Sequence, residues 1–174
     1  MSARHHFSLV CFEENSDYSV QLSLHVRAKH ATARFELTGD FSKLQFEVKR
    51  KKAEFRRELW RSSCFELFFL FDDQKYWEYN FSPDTAYWHQ SFHAYRKEDH
   101  PSESLKPSRM SFSQDSNERV LFETEIELAQ TPLGFQAAAI LHESSGQMLH
   151  FALRHPSSKP DFHSPNCFES YPTA

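Results

Sequence analysis

Apolar and polar residues alternate at period two along most of this chain, the pattern of half-buried β-strands. In "YSVQLSLHVRA" (18–28) Val20, Leu22, Leu24 and Val26 share one face, and Gln21, Ser23, His25 and Arg27 the other. "ARFELTGD" continues with Phe35 and Leu37 and ends in the turn pair Gly39-Asp40. "KLQFEV" places Leu44, Phe46 and Val48 together, and "RVLFETEIEL" sets Val120, Phe122 and Ile126 against Leu121, Glu123, Glu125 and Glu127. Residues 135–153 read as a hairpin turning at Ser144-Ser145-Gly146. Roughly ten strands at sandwich or barrel spacing are expected, in one domain spanning residues 1–174.

Two stretches depart from plain alternation. "CFELFFLF" (64–71) is apolar on both faces except at Glu66, so it predicts a central strand covered on both sides. A carboxylate buried there without a partner costs several kcal/mol, roughly. Arg61 and Arg96 are the candidate partners. "YWEYNFSPD" (76–84) points Trp77, Tyr79 and Phe81 toward a core and Tyr76, Glu78 and Asn80 to the opposite face. The charge-rich "KRKKAEFRRELW" (49–60) reads as a loop or short turn, and 95–109, with Pro101 and Pro107, as a long surface connection.

Composition narrows the function classes. Eighteen Phe with six Tyr and three Trp suit pleated, half-buried surfaces. A net charge of −4 leaves no electrostatic footprint for nucleic acid. Only three Gly argue against a phosphate-cradling loop. Cys11, Cys64 and Cys167 cannot close a disulfide framework and read as reduced structural thiols. The apolar run before Glu13 is too short for a secretory signal or a membrane span. A soluble, cytoplasmic protein is expected, with no membrane partner; the sequence does not fix its oligomeric state.

"ELWRSSCFELFF" (58–69), "YWEYNFSPD" (76–84), "SFHAYR" (91–96) and "FALRHPSSKPDFHSPNCF" (151–168) follow one another in an order that resembles the bacterial DOMON-like proteins related to the family-nine carbohydrate-binding modules. The resemblance runs from about Leu37 to Phe168. It implies a two-sheet, mainly antiparallel, jelly-roll-type β-sandwich with little helix. Sugars and, in some branches, haem are the ligands of that superfamily.

The chemistry-bearing residues form two constellations. Arg61, Glu66, Glu78, Asn80 and Arg96, flanked by Trp60, Tyr76 and Trp88, combine flat rings with groups suited to adjacent hydroxyls, as a carbohydrate or cell-wall sugar fragment requires. The same residues also fit a structural ion-pair network in a protein-interaction module. His155, Asp161 and His163 offer an N/O donor set for zinc or iron, and with it a metal-assisted hydrolase. Three prolines around them favour instead a rigid loop in which Asp161 caps a turn and His155 bonds a backbone carbonyl. Met148 and His150 fall on one strand face, but no motif marks Met110 or Met148 as haem ligands, and core filling explains them. No cofactor is expected; the acidic "FDDQ" loop (71–74) leaves structural calcium open. A non-catalytic binding module with Glu66, Glu78 and Asn80 on its floor is the leading reading.

Overall fold

Thirteen strands account for nearly all the regular structure of a computed structural model that describes residues 4–14, 16–46, 52–72, 74–99, 105–116 and 118–171. They are β1 (His5–Cys11), β2 (Ser19–Arg27), β3 (His30–Thr38), β4 (Glu54–Phe55), β5 (Cys64–Leu70), β6 (Tyr76–Phe81) and β7 (Ala86–Ala94), followed by β8 (Lys97–Glu98), β9 (Arg109–Ser116), β10 (Arg119–Glu127), β11 (Gly134–His142), β12 (Met148–Ala152) and β13 (Glu169–Ser170). Helix is confined, among the described residues, to single 3-10 turns such as Leu59–Arg61. The chain is all-β, as its alternation predicts.

Where two sheets were expected, hydrogen bonding draws one. The order β4-β7-β6-β5-β11-β12-β1-β2-β3-β10-β9 is continuous, antiparallel except where β4 runs parallel to β7. β1 is the joint: His5–Leu9 pair with β2, whereas Val10 and Cys11 pair with β12. The sheet curls there, so that its two arms face each other across the core. Phe35 of β3 and Phe122 of β10 lie 5.0 and 5.5 Å, ring to ring, from Phe65 of β5, and Phe122 lies 5.1 Å from Phe81 of β6. Such offset aromatic contacts at 4.5–7 Å add to the burial itself, by about 1 kcal/mol each.

The strands form where period two predicts them. Val20, Leu22, Leu24 and Val26 all point into the core, as do Val120, Phe122 and Ile126. β11 and β12 make the expected hairpin, closed by Glu143 N–H bonding the Gln147 carbonyl, with Gly146 at φ 88°. Gly39, at φ 144°, also keeps the chain clear of Tyr18: an added Cβ would lie 2.6 Å from its ring.

"KLQFEV" is a correction. Phe41–Lys43 form a 3-10 turn that Asp40 caps through the Ser42 N–H, and Leu44 makes only an isolated bridge to Glu143; Val48 lies outside the described residues. The basic run agrees with a loop from Lys52 onward, apart from the two-residue β4 and the turn at Leu59, and 49–51 are likewise outside. The 95–109 connection includes β8 and runs into β9, with 100–104 outside the described residues.

β5 is central, between β6 and β11, and buried on both faces. Its inner face (Phe65, Leu67, Phe69) belongs to the main core. Its outer face joins a second, smaller core with Cys64, Phe68, Tyr76, Phe92, Ile140 and Phe162. That outer cover comes from the Leu59–Arg61 turn and the 154–168 segment, and the candidate site lies beneath it.

A candidate binding cleft on the outer face

Cross-strand register assembles the floor. Glu66 of β5 stands opposite Asn80 of β6 on one side and Ala138 of β11 on the other, and Asn80 stands opposite Trp88 of β7. One row along, Glu78 pairs with Phe68 and Gln90. Residues two apart on a strand share a face, so Glu66, Glu78, Asn80, Trp88 and Gln90 form one surface. The alanines Ala138 and Ala152 fill little space beside it. The result is a cleft of about 870 Å³, walled by Trp60, Trp88, Phe92, Phe162 and His163. Trp60 is rim-like at 45% exposure, and Phe55 stacks on Trp88 at 4.5 Å.

Glu66, Glu78 and Asn80 are only 3%, 8% and 2% exposed. Among the described residues neither glutamate forms a direct ion pair with an arginine, although the Arg96 cation acts on both from a distance. Arg61 turns outward and pairs with Glu58 at 2.9 Å; Arg96 does line the cleft, but donates to Asp161 at 2.7 Å. Glu66 meets the Cys64 thiol at 3.6 Å, and Glu78 accepts from the Asn80 amide at 2.9 Å. Burial, reinforced by the neighbouring Glu78 carboxylate, pushes the Glu66 carboxyl well above the usual range. Burial pushes Glu78 up to about 7. The Asn80 carbonyl oxygen is buried and has no hydrogen-bond partner among the described residues.

The 154–168 segment closes one side through a short relay. The Arg96 backbone N–H donates to the Tyr76 hydroxyl at 3.2 Å, and that hydroxyl lies 2.9 Å from His163 Nδ1. Burial, then the nearby Arg96 cation, lowers His163 to about 4, so its ring is neutral at pH 7. The other ring nitrogen, Nε2, lies 3.8 Å from Glu78 Oε2. Asp161 accepts from both Arg96 and the Tyr95 hydroxyl at 2.7 Å. Burial works against its charge, but these two donors hold it below its ordinary value. Glu58 and Arg96, both on the cleft wall, take left-handed backbone conformations (φ 59° and 53°), which cost a non-glycine residue about 1 kcal/mol.

Of the residues singled out in the sequence, the cleft therefore brings together Trp60, Glu66, Glu78, Asn80, Trp88 and Arg96. Tyr76 supports it through His163, and Arg61 stands outside it, over the Trp60 ring. His155, Asp161 and His163 have separate attachments: His155 Nε2 bonds the Val10 carbonyl at 2.8 Å, Asp161 holds Arg96, and His163 faces the cleft. Asp161 thus binds side chains across the cleft rim, where a turn cap was expected. Among the described residues no group of three or more His, Cys, Asp or Glu is gathered as a metal ion would require. In the "FDDQ" loop Asp72 caps the Gln74 and Lys75 N–H groups, and Asp73 lies outside the described residues.

Gln90, Phe92, His150 and Phe162 line the cleft without having been singled out as site residues. For Gln90 and Phe92 the signal was present, since they alternate with Trp88 in "WHQSF". Met148 and His150 share a face and both reach the cleft, where Glu13 grips His150 through its ring and backbone N–H, each at 2.7 Å. Phe162 had no local signal, because a loop residue's cover is decided by the fold.

No protein-family model and no curated protein matches the chain in sequence. In three dimensions it is similar to the crystal structure of a proposed carbohydrate-binding protein from Bacteroides uniformis, with a TM-score of 0.61 and 12% identity, covering 95% of this chain and 84% of that one. At that identity the likeness establishes a shared all-β fold along nearly the whole chain.

Proposed function

We propose that the chain is a non-catalytic, cytoplasmic binding protein that takes a carbohydrate-sized polar ligand in the cleft above β5, β6 and β7. One observation carries this: three acceptor-bearing groups, Glu66, Glu78 and Asn80, are buried on the cleft floor, and the Asn80 carbonyl has no partner. Leaving a buried polar atom unpaired costs about 1–3 kcal/mol, a cost that a ligand donor would remove. Trp60, Trp88 and Arg96 complete the wall, giving the mixture of rings and polar groups that sugar recognition uses. The Bacteroides uniformis neighbour lends weight to a sugar ligand, and the sequence resemblance to DOMON-like proteins related to the family-nine modules points the same way.

A thermal-shift screen of the purified chain against neutral, amino and N-acetyl sugars tests the reading. A sugar that binds only the folded state stabilises it by about 2.7 kcal/mol at a hundredfold over Kd. The expected result is a selective rise in midpoint that disappears in Asn80→Ala. No shift with any sugar overturns the assignment.

A further inference from the structure

The cleft floor is rich in acceptors and poor in positive charge. Four carboxylates line the cleft (Glu58, Glu66, Glu78, Glu98) against two guanidinium groups, Arg57 and Arg96. Arg96 is bound to Asp161, and the Arg57 guanidinium lies over the Trp88 ring at 4.9 Å. Among the described residues Glu66 meets only the weak Cys64 donor, Glu78 receives one amide N–H, and the Asn80 oxygen receives nothing. A sugar hydroxyl brings one donor together with lone pairs that themselves need donors. A primary ammonium brings three donors and no acceptor. Trp60 and Phe92 offer aromatic surface to a cation and to the C–H face of a ring alike, whereas Trp88 is already covered by Phe55 and Arg57.

Resting on the carbohydrate reading above, we infer that the preferred ligand is an amino sugar whose protonated amine lies between Glu66, Glu78 and the Asn80 carbonyl. In the empty cleft both carboxyls hold protons readily, as their upward shifts show. An arriving ammonium favours their ionised forms, so binding releases a proton and weakens as the pH falls below about 7. The groups facing the pair leave that direction intact. Cys64 is pushed well above its ordinary value by burial and by Glu66, and His163 is neutral. His150 is engaged by Glu13, Arg96 by Asp161 and Glu58 by Arg61, while Arg57 and Glu98 stand on the cleft wall.

The test is titration calorimetry of the full chain near neutral pH, in two buffers of different ionisation enthalpy. The probes are glucosamine and its β-1,4 oligomers, the N-acetylated and the neutral glucose counterparts, and cyclohexylamine. The expected result is about tenfold or greater preference for the free-amine sugars, with proton release, and loss of that preference in Glu78→Gln and Glu66→Gln. Equal binding of free-amine, N-acetylated and neutral sugars overturns the amine site and leaves the carbohydrate reading standing. Binding of cyclohexylamine but no sugar overturns the sugar reading and, with it, the amino-sugar assignment. Amino-sugar binding without proton release places the amine away from the two carboxyls and overturns the inference. Should either variant fail to fold, the ligand panel and proton count on the unaltered chain decide the matter.

Discussion

The two arms of the sheet share a core but treat their outer faces differently. Along β2 and β10 buried and solvated residues alternate strictly, and the outer side carries Gln21, Ser23, Glu123 and Glu125 in water or nearly so. Along β5, β6 and β11 both sides are buried, and the outer side mixes Phe68 and Ile140 with Glu66, Glu78 and Asn80. A polar residue on the first arm is solvated and nearly free of energetic consequence. The same residue type on the second arm lies beneath the 154–168 segment, where its charge is costly and its unmet hydrogen bonds can be satisfied by a ligand.

The comparison is broken most severely through what the arms share. Phe122→Ala, which removes the ring that touches Phe65 and Phe81 from across the core, is expected to destabilise by about 3–5 kcal/mol in denaturant melts. A loss below about 1 kcal/mol would show that the arms do not share one close-packed interior.

The pH dependence of stability separates the two outer faces. Glu78 titrates near 7 in the fold against an ordinary 4.5, so the folded state binds its proton more tightly than the unfolded chain. Its favourable contribution is complete below about pH 4.5 and is lost as pH rises through about 7, amounting to about 3 kcal/mol by linkage. Glu78→Gln should remove its share of that decline, leaving the part due to Glu66, which burial also pushes upward, and be the more stable protein at alkaline pH. His89 and His163 work the opposite way: each is lowered to about 4, so stability falls as pH drops from 6.5 toward 4. Melting temperatures across pH 4–9 check both slopes, and a decline above pH 5 that persists unchanged in the variant would contradict the assignment to Glu78.

Phe162→Ala sharpens the contrast between the main and outer cores. It uncovers the cleft side of the smaller core and should cost about 2 kcal/mol, with faster amide exchange in 154–168 and little change in β2 or β10. Gln21→Ala is the control on the solvated arm. Its side chain is exposed and bonds only exposed serines, and the expected change lies within about 0.5 kcal/mol.

Legibility followed the same division. Alternation alone placed Val20 to Val26, Phe35, Leu37, Phe122 and the β11–β12 hairpin, because those strands meet the core on one side and water on the other. It also marked β5 as doubly covered and put Glu78 and Asn80 on one face; the β5–β6 register then sets Glu66 opposite Asn80 on that surface. It misread "KLQFEV", where a 3-10 turn ending at Lys43 and an isolated bridge at Leu44 stand in place of a strand. Of the two candidate partners for Glu66, Arg61 bonds Glu58 instead, and Arg96 bonds Asp161 while its charge still acts on Glu66. Phe162, a loop residue, was legible in nothing local.

The amino-acid order by itself determined the strands, their faces and the polar identity of the cleft floor, since each depends on side chains a few residues apart. Only the tertiary structure decided that the strands form one curled sheet hinged at β1, that the 154–168 segment lies over β5 and β6, and that Asn80 and two carboxyls are left without adequate partners. Those outcomes depend on contacts between residues distant in the chain, such as Tyr76 with His163 and Arg96 with Asp161, and period-two alternation carries no information about which distant partners meet.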